Sequence, residues 1–112
     1  MNARRHRPSR LSIAQLRRAA RMLRLLAHPH RLKIVEVLEG SGAAPVHELT
    51  ARLRLPQAAV SGHLARMRAV GLVAAARHGR EIRYRVADGW SVSVLNCIRG
   101  CPAANGRAEG KP

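Results

Sequence analysis

Between Val46 and Gly71, two apolar stripes at helical spacing follow one another with almost no chain between them. In 46-VHELTARL-53, Val46, Leu49 and Leu53 fall on one face. From Gln57 to Val70, Val60, Leu64 and Met67 do the same, and Gly71 ends the run. Only 54-RLP-56 joins the two. Two short helices linked by so brief a turn make a helix–turn–helix unit. The side of the second helix opposite its stripe carries Gln57, Ala58, Ser61, Gly62, Ala65 and Arg68. None of these is a large apolar residue, and several can hydrogen-bond, which suits close entry into a DNA major groove.

The flanking segments can be read the same way. From Leu11 the residues Leu16, Ala19, Ala20, Leu23 and Leu26 recur at helical spacing, with Arg17, Arg18, Arg21 and Arg24 on the other faces. That helix breaks at 27-AHPH-30, where Pro29 suits the first position of a second helix, Pro29–Leu38, that turns Leu32, Val35 and Leu38 inward. The stretch 40-GSGAAP-45 reads as a turn-rich connection. After the helix pair, 72-LVAAARHGREIRYRV-86 reads as a β-hairpin turning at His78-Gly79. In its second strand Ile82, Tyr84 and Val86 alternate with Glu81, Arg83 and Arg85. A basic hairpin directly after such a helix is a wing, and Arg77, Arg80, Arg83 and Arg85 are placed to meet phosphate or the minor groove. The segment 88-DGWSVSVLNCIRG-100 fits two periods: WSVSVL alternates like a strand, while Trp90, Val94, Cys97 and Ile98 share a helical face.

Charge agrees with a polyanionic partner. The 112 residues carry 21 Lys+Arg, nearly all arginine, against six acids, for a net charge of +15. Neutralising phosphates with release of counterions converts such an excess into affinity. Six acids, with no paired-carboxylate site, no glycine-rich phosphate loop and no nucleophile–base–acid set, argue against an enzyme. No run of the chain reads as a secretory signal or a membrane span, and two cysteines in so small a chain suit a reducing cytoplasm. The expected organisation is a flexible basic arm over 1–10, one domain over 11–100 and a disordered tail over 101–112.

Together, 24-RLLAHPHRLKIVEVL-38, 49-LTARLRLPQAAVSGHLARMRAVGLV-73 and 79-GREIRYRV-86 resemble the ArsR/SmtB family of winged helix–turn–helix repressors. The most specific element is 60-VSGHLARMRAVGLV-73, which is similar to the family's V-S-x-H-L-x-x-L-x-x-A-G-L-V pattern. The resemblance implies a mainly α fold with a small β-hairpin (α+β), a homodimer paired through its first and last helices, and a helical final segment. It further implies a repressor that leaves a dyad-symmetric double-stranded operator when an inducer binds, with no membrane partner and no required cofactor. The family's DNA-contacting positions map onto Gln57, Ser61 and His63. With the neighbouring positions, the expected DNA-binding set is Gln57, Ala58, Ser61, Gly62, His63, Arg66, Arg68, Arg77, Arg80 and Arg83. Two departures bear on base preference: Pro56 stands where the family usually caps with Ser, and Gly62 replaces a frequent Arg or Lys. The alternative to a repressor is a constitutive basic nucleic-acid-binding or architectural protein without an inducer.

The sensing residues are less plain. The family's C-x-C-[DE]-L box aligns with 45-PVHEL-49, which keeps only His47 as a ligand, and Asp88 has no His or Glu partner downstream. His28 and His30 flank Pro29, but two histidines are an incomplete coordination sphere, so they are expected to cap a helix or face solvent. Cys97 and Cys101 remain. Gly100 and Pro102 should end the helix near Arg99, with Cys97 in its last turn on the Trp90/Val94/Ile98 face and Cys101 just beyond. The bland reading makes Cys97 a small buried hydrophobe. The functional reading makes the pair a thiol inducer site, taking As(III) or another soft metal ion, or undergoing reversible oxidation.

Overall fold

The computed structural model describes residues 9–87 and 89–101. Most of the expected arm, the tail beyond Cys101, and Asp88 lie outside those residues. Within the described residues, five helices and three strands follow in the order α1 (Ile13–Leu26), α2 (Pro29–Ser41), β1 (Ala44–Pro45), α3 (Val46–Leu53), α4 (Gln57–Ala69), β2 (Val73–His78), β3 (Glu81–Val86) and α5 (Trp90–Arg99). The antiparallel sheet has the order β1-β3-β2. Among the described residues, no helix is long and apolar enough to cross a membrane.

Each boundary has a local cause. α1 starts two residues later than its apolar pattern suggests, because Ser12 and Gln15 form a capping box. The Gln15 N–H donates to Ser12 Oγ (3.1 Å) and the Ser12 N–H to Gln15 Oε1 (2.7 Å). α2 opens on Pro29 as expected but runs on to Ser41, until Gly42 adopts a φ of 83°. α4 ends in a Schellman arrangement around Gly71 (φ 84°), with the Gly71 N–H on the Arg68 carbonyl and the Leu72 N–H on that of Met67. The expected turn-rich connection over 40–45 holds a short strand instead. Ala44 and Pro45 pair with Tyr84 and Arg83, and an edge position tolerates the missing proline N–H. The hairpin turns one residue later than expected: His78 pairs with Glu81, leaving Gly79 and Arg80 as the loop, with Gly79 supplying the positive φ.

The core is aliphatic. Ile34, Val35, Val37 and Leu38 of α2 are buried between Leu49 and Leu53 of α3, Val60, Leu64 and Met67 of α4, Leu72 and Val73, and Leu95 of α5. α1 contributes only Met22 and Leu26 to it. The rest of its stripe faces outward: Ile13 is 62% exposed, Leu16 44% and Leu23 49%. Ile82, expected to face inward, is also exposed, because the hairpin tip extends beyond the helices that bury its base.

Candidate nucleic-acid interface

α3 and α4 meet at the link 54–56, where Arg54 adopts the left-handed conformation (φ 57°) and its N–H donates to the Thr50 carbonyl (2.8 Å). This turn sets α4 with Val60, Leu64 and Met67 in the core. Gln57, Ala58, Ser61, Ala65, Arg66 and Arg68 are all exposed, and Gly62 is half-buried. Pro56 precedes the helix with no side-chain cap, so α4 presents an uncapped N-terminal turn.

The wing adds charge beside this face. Arg68 of α4 lines one cleft with Ala75, Ala76, Arg77 and Ile82 of the hairpin. Arg77 and Arg80 are exposed and, among the described residues, have no acidic partner. Arg83 is spent locally: its Nε–H donates to Glu81 Oε2 at 3.0 Å, which holds the Glu81 carboxyl below its ordinary range. A second basic groove was not foreseen from the sequence. Arg21 and Arg24 of α1, Arg31 of α2 and Arg66 of α4 line it together with Leu25. Helical spacing shows the Arg21–Arg24 pair, but only the crossing of three helices brings Arg31 and Arg66 to it.

His63 sits at the margin of this face. It is half-buried, and its Nδ1 accepts the Arg31 Nε–H at 3.0 Å. Arg31 also donates from Nη1 to the Leu25 carbonyl (3.1 Å), so one guanidinium ties the end of α1 to α4. Burial, and then the charges of His28, Arg31, His30 and Arg66, lower the His63 pKa from its ordinary value. His28 caps α2, as expected, by accepting the His30 N–H on Nδ1 (3.2 Å). Its ring lies edge-on to His63, with centroids 4.6 Å apart. One ligand nitrogen from each of His28, His30 and His63 falls within 4.8 Å of the others.

α5 ends at Arg99 as expected, although Gly100 keeps a right-handed backbone (φ −86°) and the chain closes with a Cys101 N–H bond to the Ile98 carbonyl. The face of α5 turned inward is Ser91/Leu95, with Val94 and Ile98 at its edges. Cys97 therefore lies outside that face, and it and Cys101 are both exposed free thiols, not buried in the single chain. His47, the remnant of the α3 box, is exposed and lies 3.8 Å from Glu81 Oε1.

Comparison with known proteins agrees with this architecture. A family profile described as bacterial regulatory protein, arsR family, matches residues 28–75. The chain is 40% identical over 91 residues to the HTH-type transcriptional regulator YgaV of Escherichia coli, covering 80% of this chain and 92% of that protein. It is 47% identical over 70 residues to the HTH-type transcriptional repressor SmtB of Mycobacterium tuberculosis. That match covers 62% of this chain but only 51% of SmtB, about half the relative's length. Among solved structures, the homodimeric winged helix–turn–helix DNA-binding domain of a Mycobacterium bovis protein superposes with a TM-score of 0.72 at 26% identity, covering 87% of each chain. Helix–turn–helix, wing and sequence agree: this chain belongs to the arsR family of bacterial regulatory proteins, a family of winged-helix regulators and not of enzymes.

Proposed function

We propose that the chain is a homodimeric transcriptional repressor that binds a dyad-symmetric operator in double-stranded DNA. The observation that carries this reading is the outer face of α4. Gln57, Ala58, Ser61 and Arg68 are exposed on a helix whose opposite side is locked in the core, beside the exposed Arg77 and Arg80 of the wing. Gln57 and Ser61 read base edges, Ala58 and Gly62 allow close approach, and Arg66, Arg68 and the wing arginines hold phosphates. His63, tied to Arg31, sets the angle of α4 and meets the backbone at its edge. The outward stripe Ile13/Leu16/Leu23 of α1, with α5, pairs two chains, and the homodimeric state of the Mycobacterium bovis neighbour supports a dimer. Such a regulator works in the cytoplasm, where its exposed thiols stay reduced.

Release falls to Cys97 and Cys101. Both thiols are exposed in the single chain at the end of α5, so a bond there to As(III), to another soft ion or on oxidation distorts the pairing helix. Selection from random duplexes, followed by anisotropy titration at several salt concentrations, tests the repressor reading. A dyad-symmetric sequence is expected to bind at least about 10³-fold more tightly than random duplex. Affinity that follows salt but never sequence would leave the constitutive basic binder instead. Titrating the reduced complex with arsenite, Cd²⁺, polysulfide and peroxide, beside Cys97→Ser and Cys101→Ser, tests the switch. One of these agents should release the wild type and spare the variants; equal release of all three proteins, or of none, rejects it.

A further inference from the structure

We propose that His28, His30 and His63 bind one zinc-like divalent cation, and that its binding is coupled to the position of the recognition helix α4. The sequence shows only the incomplete pair flanking Pro29; folding adds the third imidazole from α4. The three ligand nitrogens lie within 4.8 Å of one another. Zn–N bonds of about 2.05 Å in a tetrahedral sphere put nitrogens about 3.4 Å apart, so side-chain rotations of little more than an ångström close the site. All three residues are half-buried, sheltered yet open to an entering ion, and a fourth position remains for water. No thiol or carboxylate joins the cluster among the described residues. An all-imidazole set favours Zn²⁺, Co²⁺, Ni²⁺ or Cu²⁺ over Mg²⁺ and Ca²⁺, and differs from the thiol chemistry of Cys97 and Cys101.

Coupling follows from the hydrogen bonds the ion must break. His63 accepts the Arg31 Nε–H on Nδ1, so the neutral ring carries its proton on Nε2. A cation on Nδ1 takes the place of the guanidinium. A cation on Nε2 moves the ring proton to Nδ1, where it faces another donor. Either way the tie between α2 and α4 is lost, and Arg31 turns away while its Nη1 can keep the Leu25 carbonyl. The same reasoning applies to His28, whose Nδ1 caps α2 by accepting the His30 N–H. Loading the site therefore opens the α2 cap and frees the α4 edge together. The effect on DNA rests on the function proposed above; ion binding itself does not.

The test uses the chelator-stripped 112-residue chain titrated with Co²⁺ and followed by visible absorption. One equivalent per chain should develop the d–d bands of a four- or five-coordinate nitrogen site, displaced by Zn²⁺ and retained in the Cys97→Ser/Cys101→Ser variant. His28→Asn keeps a side-chain cap and His63→Gln keeps an acceptor for Arg31, so both should fold, as circular dichroism will verify. Each should weaken Co²⁺ binding at least tenfold. Unchanged binding in these variants, only the octahedral aqua spectrum, or a thiolate charge-transfer band that vanishes with the cysteines overturns the site. In the cysteine-free variant, Zn²⁺ should weaken binding to the selected duplex at least about fivefold, and His63→Gln should abolish the effect. If Zn²⁺ leaves duplex affinity unchanged, the coupling is wrong. If no duplex is selected at all, the repressor reading fails while the Co²⁺ titration still decides the metal site.

Discussion

Gly62 lies in the middle of α4, where an added Cβ would meet only the tip of the Arg66 side chain at 3.5 Å. Its backbone needs no glycine, so it carries the usual entropic cost of glycine within a helix. Gly62→Ala should therefore raise unfolding stability by about 0.5–1 kcal/mol in urea titration; a loss would mean that the site is tighter than its geometry indicates. His63 gives a pH signature. Its pKa is lowered in the folded chain, chiefly by burial. The unfolded chain thus takes up a proton first as pH falls, and protonation also removes the acceptor that holds Arg31. Its contribution is complete above the ordinary histidine range, declines as pH drops through that range, and levels off below the folded pKa. With chelator present, stability of the wild type should fall between about pH 7 and pH 5. His63→Gln should fall less, and identical profiles would remove His63 as the cause. The pH effect could not be predicted from helical spacing, because Arg31 meets His63 only through the fold.

At the scale of elements, α1 packs one side on the core and leaves the other exposed. α1 holds the chain through Met22 and Leu26 and leaves Leu16 and Leu23 outside. Replacing both outer leucines by glutamate should leave circular dichroism and the thermal midpoint nearly unchanged while dissociating the proposed dimer in sedimentation. A dimer that survives the change would place the pairing face elsewhere. Ser91 of α5 is fully buried, and its Oγ has no hydrogen-bond partner among the described residues. Ser91→Ala removes an unpaired hydroxyl at little loss of volume and should stabilise the chain by about 1 kcal/mol, as read by thermal or urea unfolding. The period of α5 was legible as a conflict between strand and helix; packing against α2, with Leu95 in the core, settles it as a helix.

For the whole molecule, the net charge of +15 matters through where it is gathered. One group lies at the α4–wing cleft, around Arg68 and Arg77, and another at the crossing of α1, α2 and α4. The logarithm of DNA affinity should fall linearly with the logarithm of salt concentration, by about 0.9 for each phosphate neutralised. Arg77→Ala/Arg80→Ala should make this slope shallower by roughly 2–4 for a dimer, while preserving which duplex is preferred. An unchanged slope would mean that the wing does not touch phosphate.

The amino-acid sequence carries the helix–turn–helix, the wing and the family in local patterns: apolar spacing, a proline at a helix start, a glycine at a helix end and period-two alternation. It also pointed to the residues on the outer face of α4, because a helix with one buried stripe fixes what its other side shows. The fold settles which side of α5 turns inward, leaving Cys97 and Cys101 exposed in the single chain. It alone decided that the 40–45 connection gives an edge strand, that four arginines share one groove, and that His63 joins His28 and His30. Those are contacts between segments far apart in the chain. Their geometry follows from how the helices cross over a shared core, which no local period encodes.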